Sequence, residues 1–292
     1  MIIAEGYKPV SHIREIPSRL VQDTVRRLFL EANLSLGEDV IAAIAQAAEA
    51  EKSQLGKQVL VKILENADAA KCESLPLCQD TGFAIVFMEI GQDVHIVGGA
   101  LEEAVQAGVR QAYRDGCFRK SLCDPLTRLN TGDNTPAAIH VEIVAGDSIR
   151  IVVMPKGGGS ENMSSVAMLV PAEGEEGIAR HVVEQVRRAG PNPCPPLIVG
   201  VGIGGTIESV PMLAKKALLR PVGEPNQRDG RLASMEKKIL DGINRLGIGP
   251  QGYGGQTTAL AVHVEMRPAH IASLPVAVNI QCHSARHKEA VI

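Results

Sequence analysis

The sequence is poor in aromatic residues and carries no excess of positive charge. Of its 292 residues none is Trp, three are Tyr and four are Phe. These are too few for the base-stacking platforms of single-strand nucleic-acid binding proteins. The formal net charge of −3 leaves no strongly basic face, so we expect no nucleic-acid partner. No apolar run approaches the roughly 20 residues of a membrane-spanning helix, so we also expect no membrane partner.

A targeting segment and paired cysteines are missing as well. The first 20 residues lack the basic, apolar and small-residue layout of a secretory signal, so we expect a cytoplasmic protein. None of the six cysteines forms a Cys-x-x-Cys pair, which argues against a zinc ribbon or a thioredoxin motif. In a cytoplasmic chain of this size, metal binding or catalysis is a commoner use of cysteine than disulfide formation.

What is present is an ordinary globular composition, 45% hydrophobic and 22% charged. Helical spacing of apolar residues predicts helices over 18–32, 36–50, 55–70, 100–114, 175–189, 207–219 and 230–246. Apolar and β-branched runs predict strands over 83–91, 94–97, 140–144, 149–154, 197–201, 258–265 and 276–281. Turn residues predict hairpins between the first two strands and between the next two. We expect an α/β fold with mixed sheets, antiparallel hairpins and flanking helices, in a single domain over residues 1–292.

Three cysteines occur in loop-like contexts. Cys78 precedes Gln-Asp-Thr-Gly, Cys194 lies between two prolines, and Cys282 opens Cys-His-Ser-Ala-Arg. Three separate thiolates that converge would suit a [4Fe–4S] cluster without a fourth protein ligand. Its open iron would act as a Lewis acid on a substrate hydroxyl. The simpler alternative is that each is a small buried apolar residue; the other three cysteines are interpreted as structural or incidental.

A glycine-rich turn admits a different interpretation. Gly200, Gly202 and Gly205 match Gly-x-Gly-x-x-Gly between a predicted strand and a predicted helix, and Glu224 follows about 20 residues later. This pattern is typical of a dinucleotide site. No clear parallel strand follows the helix at 207–219 to carry the acid, which argues against it. A turn whose N–H groups approach an anion and a close-packing turn without a ligand remain open.

Four motifs together carry a resemblance to a known family. In chain order they are Cys-Gln-Asp-Thr-Gly from Cys78, Lys-Gly-Gly-Gly-Ser-Glu-Asn from Lys156, Asn-Pro-Cys-Pro-Pro with Gly-Val-Gly-Ile-Gly-Gly-Thr, and Cys-His-Ser-Ala-Arg. From about residue 20 to 287, the chain resembles the class I (iron–sulfur) fumarate hydratases, in the α subunit of their two-subunit form. That family includes the L(+)-tartrate dehydratase α subunit, where the triple glycine precedes Cys-Thr-Leu-Pro. Ser160-Glu161-Asn162 stands here instead and favours fumarate.

The resemblance implies a cofactor and a set of site residues. Cys78, Cys194 and Cys282 would hold a [4Fe–4S] cluster. The remaining site residues it implies are Asp80 and His270 as catalytic groups, with Gln79, Asp80, Arg119, Gly158 and Gly159 binding the substrate.

Each of these residues has an ordinary structural alternative. Asp80 could simply open a turn, Arg119 could be a solvated charge, and His270 could be a loop or packing histidine. Lys156 could orient a carboxylate or close its turn. Two polar residues follow Cys282, namely His283 and Arg286. They could support the cluster loop or be surface charges.

The resemblance also implies a partner and a reaction. In the family a second module supplies further residues to the site, and this chain ends soon after Cys282, so we expect a separate β subunit in an α2β2 assembly. The expected reaction is the reversible hydration of fumarate, a small dicarboxylic acid, to L-malate. The alternatives are an L(+)-tartrate dehydratase α subunit, a non-catalytic iron–sulfur redox sensor and a nucleotide-binding protein.

Overall fold

The computed structural model describes residues 13–292, which divide into two compact units. The first unit comprises residues 13–33, 81–155 and 287–292, and the second comprises residues 34–80 and 156–286. The predicted mixed α/β class is confirmed, whereas one domain over 1–292 stays a prediction. Residues 1–12 of the segment inspected for a targeting signal lie outside the described residues. Within 13–292, no helix is both long enough and apolar enough to cross a membrane.

Each predicted helix and strand is present, whereas the elements at residues 14–17, 158–161, 165–169 and 288–291 were not predicted. The helices are α1 (Ser18–Leu34), α2 (Glu38–Ala50), α3 (Gln54–Glu73), α4 (Leu101–Asp115), α5 (Gly158–Glu161), α6 (Gly174–Ala189), α7 (Val210–Ala217) and α8 (Gly230–Asn244). Two short 3-10 helices cover Pro171–Glu173 and Pro250–Gly252. The strands are β1 (Arg14–Pro17), β2 (Phe83–Gly91), β3 (Val94–Val97), β4 (Ala138–Val144), β5 (Ile149–Lys156), β6 (Ser165–Leu169), β7 (Leu197–Gly205), β8 (Ala259–Ala269), β9 (Leu274–Gln281) and β10 (Lys288–Val291).

The first unit contains a four-stranded sheet in the order β10-β5-β2-β4, and β3 pairs with β1 in a separate parallel sheet. Both predicted hairpins are therefore wrong. The strand β2 lies between β4 and β5, and β2 pairs with β4 in parallel. A parallel pair needs a crossover connection, which here includes α4. Local turn residues could not reveal this pairing because it joins distant segments.

Helices α1 and α4 of the first unit approach each other closely. A Cβ atom added at Gly108 would lie 2.6 Å from the carbonyl oxygen of Gln22, so only glycine permits this approach. Beside it, the rings of Phe29 and Tyr113 are 6.1 Å apart. The hydroxyl of Tyr113 donates to the carbonyl oxygens of Thr81 and Gly82, which fixes the start of the segment that leads into β2.

The second unit is built on a four-stranded sheet in the order β6-β9-β7-β8. Apolar residues of α6 and α8 pack with those of β7, β8 and β9 in its main core, and α7 packs against β7 and β9. A Cβ atom at Gly200 would lie 2.0 Å from the carbonyl oxygen of Ala214, and one at Gly202 would lie 2.3 Å from that of Val210. These glycines therefore allow α7 to pack on β7, which favours the close-packing interpretation over the dinucleotide one.

Candidate active site

Several loops meet at one end of the sheet in the second unit. Strands β7 and β9 are antiparallel, and Ile198 pairs with Gln281. Cys194 lies just before β7 and Cys282 directly follows β9, so both cysteines lie at this end, which we call the cysteine end. The strand β6 is antiparallel to β9, and β8 is parallel to β7. Both β6 and β8 therefore start at the cysteine end, and the loops that precede them lie there too.

The three predicted ligand cysteines converge at the cysteine end. Cys78 lies in the bend after α3, where the side chain of Asn66 donates to the carbonyl oxygen of Leu77. Partial burial raises the pKa of the Cys194 thiol, and Cys282 and Cys78 raise it further. Burial also raises the pKa of Cys282, with Cys78 adding to the effect. Each thiol is thus within electrostatic range of the others.

Two positive groups oppose the effect of burial on Cys282. Both Arg286 and Lys156 lower the pKa of its thiol. The side chain of Arg286 is 2% exposed and its Nη2 donates to the carbonyl oxygen of Asp80 at 2.9 Å. Arg286 is therefore buried within the site and is not a surface charge.

The carboxylate of Asp80 is held by the glycine loop that opens α5. Its Oδ2 accepts a hydrogen bond from the backbone N–H of Gly158 at 2.8 Å. A Cβ atom at Gly157 would lie 3.5 Å from the same oxygen, so the loop backbone passes close to the carboxylate. The structure thus brings Asp80 and Gly158 together beside the cysteines. Gly159 follows in the same loop. A Cβ atom at Gly159 would lie 3.6 Å from the carbonyl oxygen of Asn192.

Lys156 is turned inward beneath this loop. Its side chain is 1% exposed, and its Nζ donates to Ser160 Oγ and to the carbonyl oxygen of Ile280, both at 2.8 Å. Burial lowers the pKa of Lys156 to about 8, although Glu161 and Cys282 act in the opposite direction. Glu161 also pairs with Lys215 at 2.5 Å. Ser160 and Glu161, two of the three residues that favoured fumarate, therefore already have partners within the protein.

His283 and Gln251 connect the loops of two cysteines. The backbone N–H of His283 donates to the carbonyl oxygen of Cys194 at 3.4 Å, and His283 Nδ1 lies 3.1 Å from the same oxygen. Gln251 donates to the carbonyl oxygen of Pro195 from both its backbone N–H, at 2.8 Å, and its side-chain Nε2, at 2.7 Å. Burial lowers the pKa of His283, and the hydrogen bond to Cys194 opposes this shift.

Sequence reasoning did not identify Gln251 or Asn66. A signal existed for the first, because Gln251 lies in the glycine-rich stretch from Gly247 to Gly255. Such a stretch marks a loop with unusual backbone conformations. No sequence signal distinguished Asn66, which occupies an ordinary position in α3.

The remaining predicted site residues have different positions. Gln79 is exposed next to Cys78, whose thiol donates to its side-chain oxygen at 3.4 Å. Arg119 is exposed and belongs to the first unit, where its carbonyl oxygen accepts from the Thr81 hydroxyl. His270 is exposed in the turn between β8 and β9. The eight residues of β9 separate it from the cysteine end by roughly 25 Å at about 3.4 Å per residue.

The donor atoms at the cysteine end suit a group larger than a single ion. Within residues 13–292, no three His, Cys, Asp or Glu side chains are arranged to hold one metal ion. In an iron–sulfur cluster each thiolate binds a different iron, so the sulfur atoms need not meet around one centre. Gln281 Oε1 and Ser284 Oγ, on either side of Cys282, are buried without a hydrogen-bond partner in the described part of the chain.

Comparisons with known proteins agree over most of the chain. A family model described as Fumarate hydratase (Fumerase) matches residues 22–291. A Methanocaldococcus jannaschii protein, whose name assigns it provisionally as L(+)-tartrate dehydratase subunit alpha, is 44% identical over 273 residues. The match covers 91% of this chain and 95% of that protein. The L(+)-tartrate dehydratase subunit alpha of Escherichia coli strain K12 is 33% identical over 255 residues, covering 85% of this chain and 83% of that protein.

Proposed function

The chain belongs to the fumarate hydratase (Fumerase) family of hydro-lyases, and from this premise we propose that it is the α subunit of an iron–sulfur enzyme that reversibly hydrates fumarate to L-malate. The observation that carries the proposal is the convergence of Cys78, Cys194 and Cys282 beside the carboxylate of Asp80. A redox sensor would also need the cysteines, but it would have no use for a carboxylate held next to them.

The proposed cofactor is a [4Fe–4S] cluster held by Cys78, Cys194 and Cys282. Two facts support the fit: the three thiols lie within electrostatic range of one another, and the buried hydroxyl of Ser284, which can donate to sulfur, lacks a partner in the described residues. Burial raises the pKa of the Cys282 thiol, and Arg286 and Lys156 oppose that shift. When bound, such a cluster would supply one iron without a protein ligand, which acts as a Lewis acid on a substrate oxygen.

Asp80 is the proposed acid/base group. Its carboxylate lies two residues after Cys78 and accepts the N–H of Gly158, which holds it toward the cysteine end. A positioned carboxylate can take the proton from the carbon next to the hydroxyl-bearing one, or return it in the hydration direction. Gln79 and Gly159 are proposed to contact the substrate, and Arg119 to bind one of its carboxylates.

His270 needs a different explanation if it takes part in catalysis. It lies at the opposite end of β9 from Cys282, about 25 Å away by strand length. A side chain cannot bridge that distance. We therefore propose that His270 acts on a site to which another chain contributes.

We also propose a separate β subunit. The relatives compared above carry the name subunit alpha, which implies that they assemble with a second kind of subunit. The present chain would then contribute the cluster and Asp80, and the β subunit would supply further groups for the two substrate carboxylates. An α2β2 assembly stays a prediction.

L-tartrate is the second candidate substrate, because the relatives are named as tartrate dehydratase subunits. The earlier argument for fumarate is weakened, since Ser160 and Glu161 are engaged with Lys156 and Lys215. A site that pairs the second hydroxyl of tartrate would strongly disfavour a substrate that lacks it. The two substrates should therefore give clearly different values of kcat/KM.

The test is an anaerobic assay of the reconstituted chain together with its β subunit. We expect kcat/KM for L-malate to exceed that for L-tartrate, negligible turnover by the chain alone, and loss of activity in air that ferrous iron and thiol reverse. A tartrate value equal to or above the malate value would make the chain a tartrate dehydratase subunit. Iron uptake without turnover of either substrate, with the partner present, would favour the redox sensor.

A further inference from the structure

Gln251 holds a conformation that its residue type disfavours. Its backbone φ angle is 51°, and that of Cys194 is 56°. Both lie in the left-handed region, which strains a residue other than glycine. Such a conformation persists only where the surrounding contacts enforce it. The two strained residues are connected by the carbonyl oxygen of Pro195, the residue after Cys194, which accepts two hydrogen bonds from Gln251.

The contacts that enforce these conformations run between three loops. Gln251 donates twice to the carbonyl oxygen of Pro195, and its Nε2 also lies 3.0 Å from Nδ1 of His283. The backbone N–H of His283 donates to the carbonyl oxygen of Cys194. Its ring Nδ1 either accepts from Gln251 or donates to that oxygen, 3.1 Å away, because one tautomer does not allow both. The amide of Gln251 therefore touches the residue after Cys194 and the residue after Cys282 at once.

The sequence around Cys194 explains why an outside donor is needed. Residues 193, 195 and 196 are prolines, which have no backbone N–H and cannot continue a ladder of hydrogen bonds. The carbonyl oxygens of Cys194 and Pro195 consequently accept from side chains and backbone of other loops. The loop with Gln251 is itself anchored, because Glu51 accepts the N–H groups of Gln256 and Thr257.

We propose that Gln251 is a positioning residue that clamps the loops of Cys194 and Cys282 into their relative arrangement before any cofactor binds. The role of the clamp in cluster binding rests on the proposed function; the clamp as a link between loops does not. Residues that hydrogen-bond to metal ligands, without binding the metal themselves, orient those ligands. Their loss typically weakens metal binding about 10–100-fold. Gln251 would act in this way through Pro195 and His283.

Two substitutions separate the side chain from the backbone. Gln251→Ala removes the amide and keeps the strained conformation, whereas Gln251→Gly removes the amide and relieves the strain. Gln256→Ala, in the same loop at an exposed position, is the matched control. Melting temperatures are measured first; if the alanine variant is much less stable, the glycine variant carries the comparison.

The first measurement uses the full chain without a cluster. Hydrogen exchange followed by mass spectrometry reports the backbone N–H of His283, which donates to Cys194. We expect faster exchange in residues 282–286 for both Gln251 variants and no change for Gln256→Ala. Unchanged exchange in both Gln251 variants would overturn the clamp. This measurement does not depend on whether the chain binds iron.

The second measurement uses the anaerobically reconstituted chain. We expect both Gln251 variants to release iron to a chelator about 10–100-fold faster than the wild type. Their visible circular dichroism, which reports the asymmetry of the thiolate ligands, should also be altered. Release at the wild-type rate by Gln251→Gly would show that the side-chain amide is not needed to retain iron and would refute the positioning role. A wild-type chain that takes up no iron would instead contradict the proposed function, and hydrogen exchange would still decide the clamp.

Discussion

The carboxylate of Asp80 accepts a hydrogen bond from the backbone N–H of Gly158 at 2.8 Å. This contact joins the first and second of the four sequence motifs, which are separated by 78 positions along the chain. A Cβ atom at Gly157 or Gly158 would lie 3.5 or 3.8 Å from this carboxylate, which is ordinary van der Waals contact, so the contact by itself does not require glycine in this loop. The N–H of Gly158 is thereby used inside the protein, which leaves Gly159 as the better candidate for a backbone contact with substrate.

Replacement of Asp80 by Asn should separate its chemical role from its structural one. The amide oxygen of Asn can still accept the N–H of Gly158, whereas the titrating proton is lost. We expect kcat to fall about 10²–10⁴-fold, with iron content and visible absorbance unchanged. Near-normal kcat would show that Asp80 only forms a turn. Loss of the cluster would show that Asp80 supports Cys78 structurally. Asp80→Ala, which also loses the hydrogen bond, should in addition loosen the glycine loop.

Removal of any one converging cysteine should abolish cluster binding. We expect Cys78→Ala, Cys194→Ala and Cys282→Ala each to lose most of the iron and of the broad visible absorbance after reconstitution. Cys72→Ala is the matched control, because Cys72 is an exposed free cysteine on α3. Full iron retention by any of the first three variants would remove that residue from the ligand set.

We expect the glycines of β7 to be required for stable folding and not for the binding of a nucleotide. Gly200→Ala would place a Cβ atom 2.0 Å from the carbonyl oxygen of Ala214, so we expect the free energy of unfolding to fall by about 3 kcal/mol or more. Gly230→Ala, at the first residue of α8 with open space around it, should be neutral or stabilising by about 0.5–1 kcal/mol. Urea denaturation measures both. A fully stable Gly200→Ala variant would contradict the packing argument.

His263 should make the second unit less stable in mild acid. Burial lowers the pKa of this histidine to about 4, from an ordinary value of about 6.5. Between these values the unfolded chain binds the proton and the folded chain does not, so stability falls as the pH drops from about 6.5 to 4 and no further below that. The loss is at most about 3 kcal/mol.

The histidine variant and its control test this pH dependence. In His263→Gln the contribution of this residue should disappear, so unfolding free energies of the cluster-free chain at pH 7.5 and pH 5 should differ less than in the wild type. His95→Gln, at an exposed position on β3, should keep the wild-type difference. An equal acid sensitivity of His263→Gln and the wild type would show that other groups dominate.

The amino-acid sequence by itself determined the local structure and the chemical inventory. The spacing of apolar residues along α1, α2 and α4 predicted each helix to within a few residues, because a helix repeats every 3.6 residues whatever it packs against. The rare motifs around Cys78, Cys194 and Cys282 likewise sufficed to predict the family.

Only the tertiary structure decided which segments meet. Strand order and direction place Cys194 and Cys282 at one end of the sheet and His270 at the other. In the first unit, β2 lies between β4 and β5, which were expected to pair with each other. These outcomes depend on pairings between distant residues, whose register is set by burial across the whole sheet and not by local pattern. For the same reason the glycine-rich sequence around Gln251 indicated an unusual loop, but the contacts of Gln251 with Pro195 and His283 were evident only in the tertiary structure.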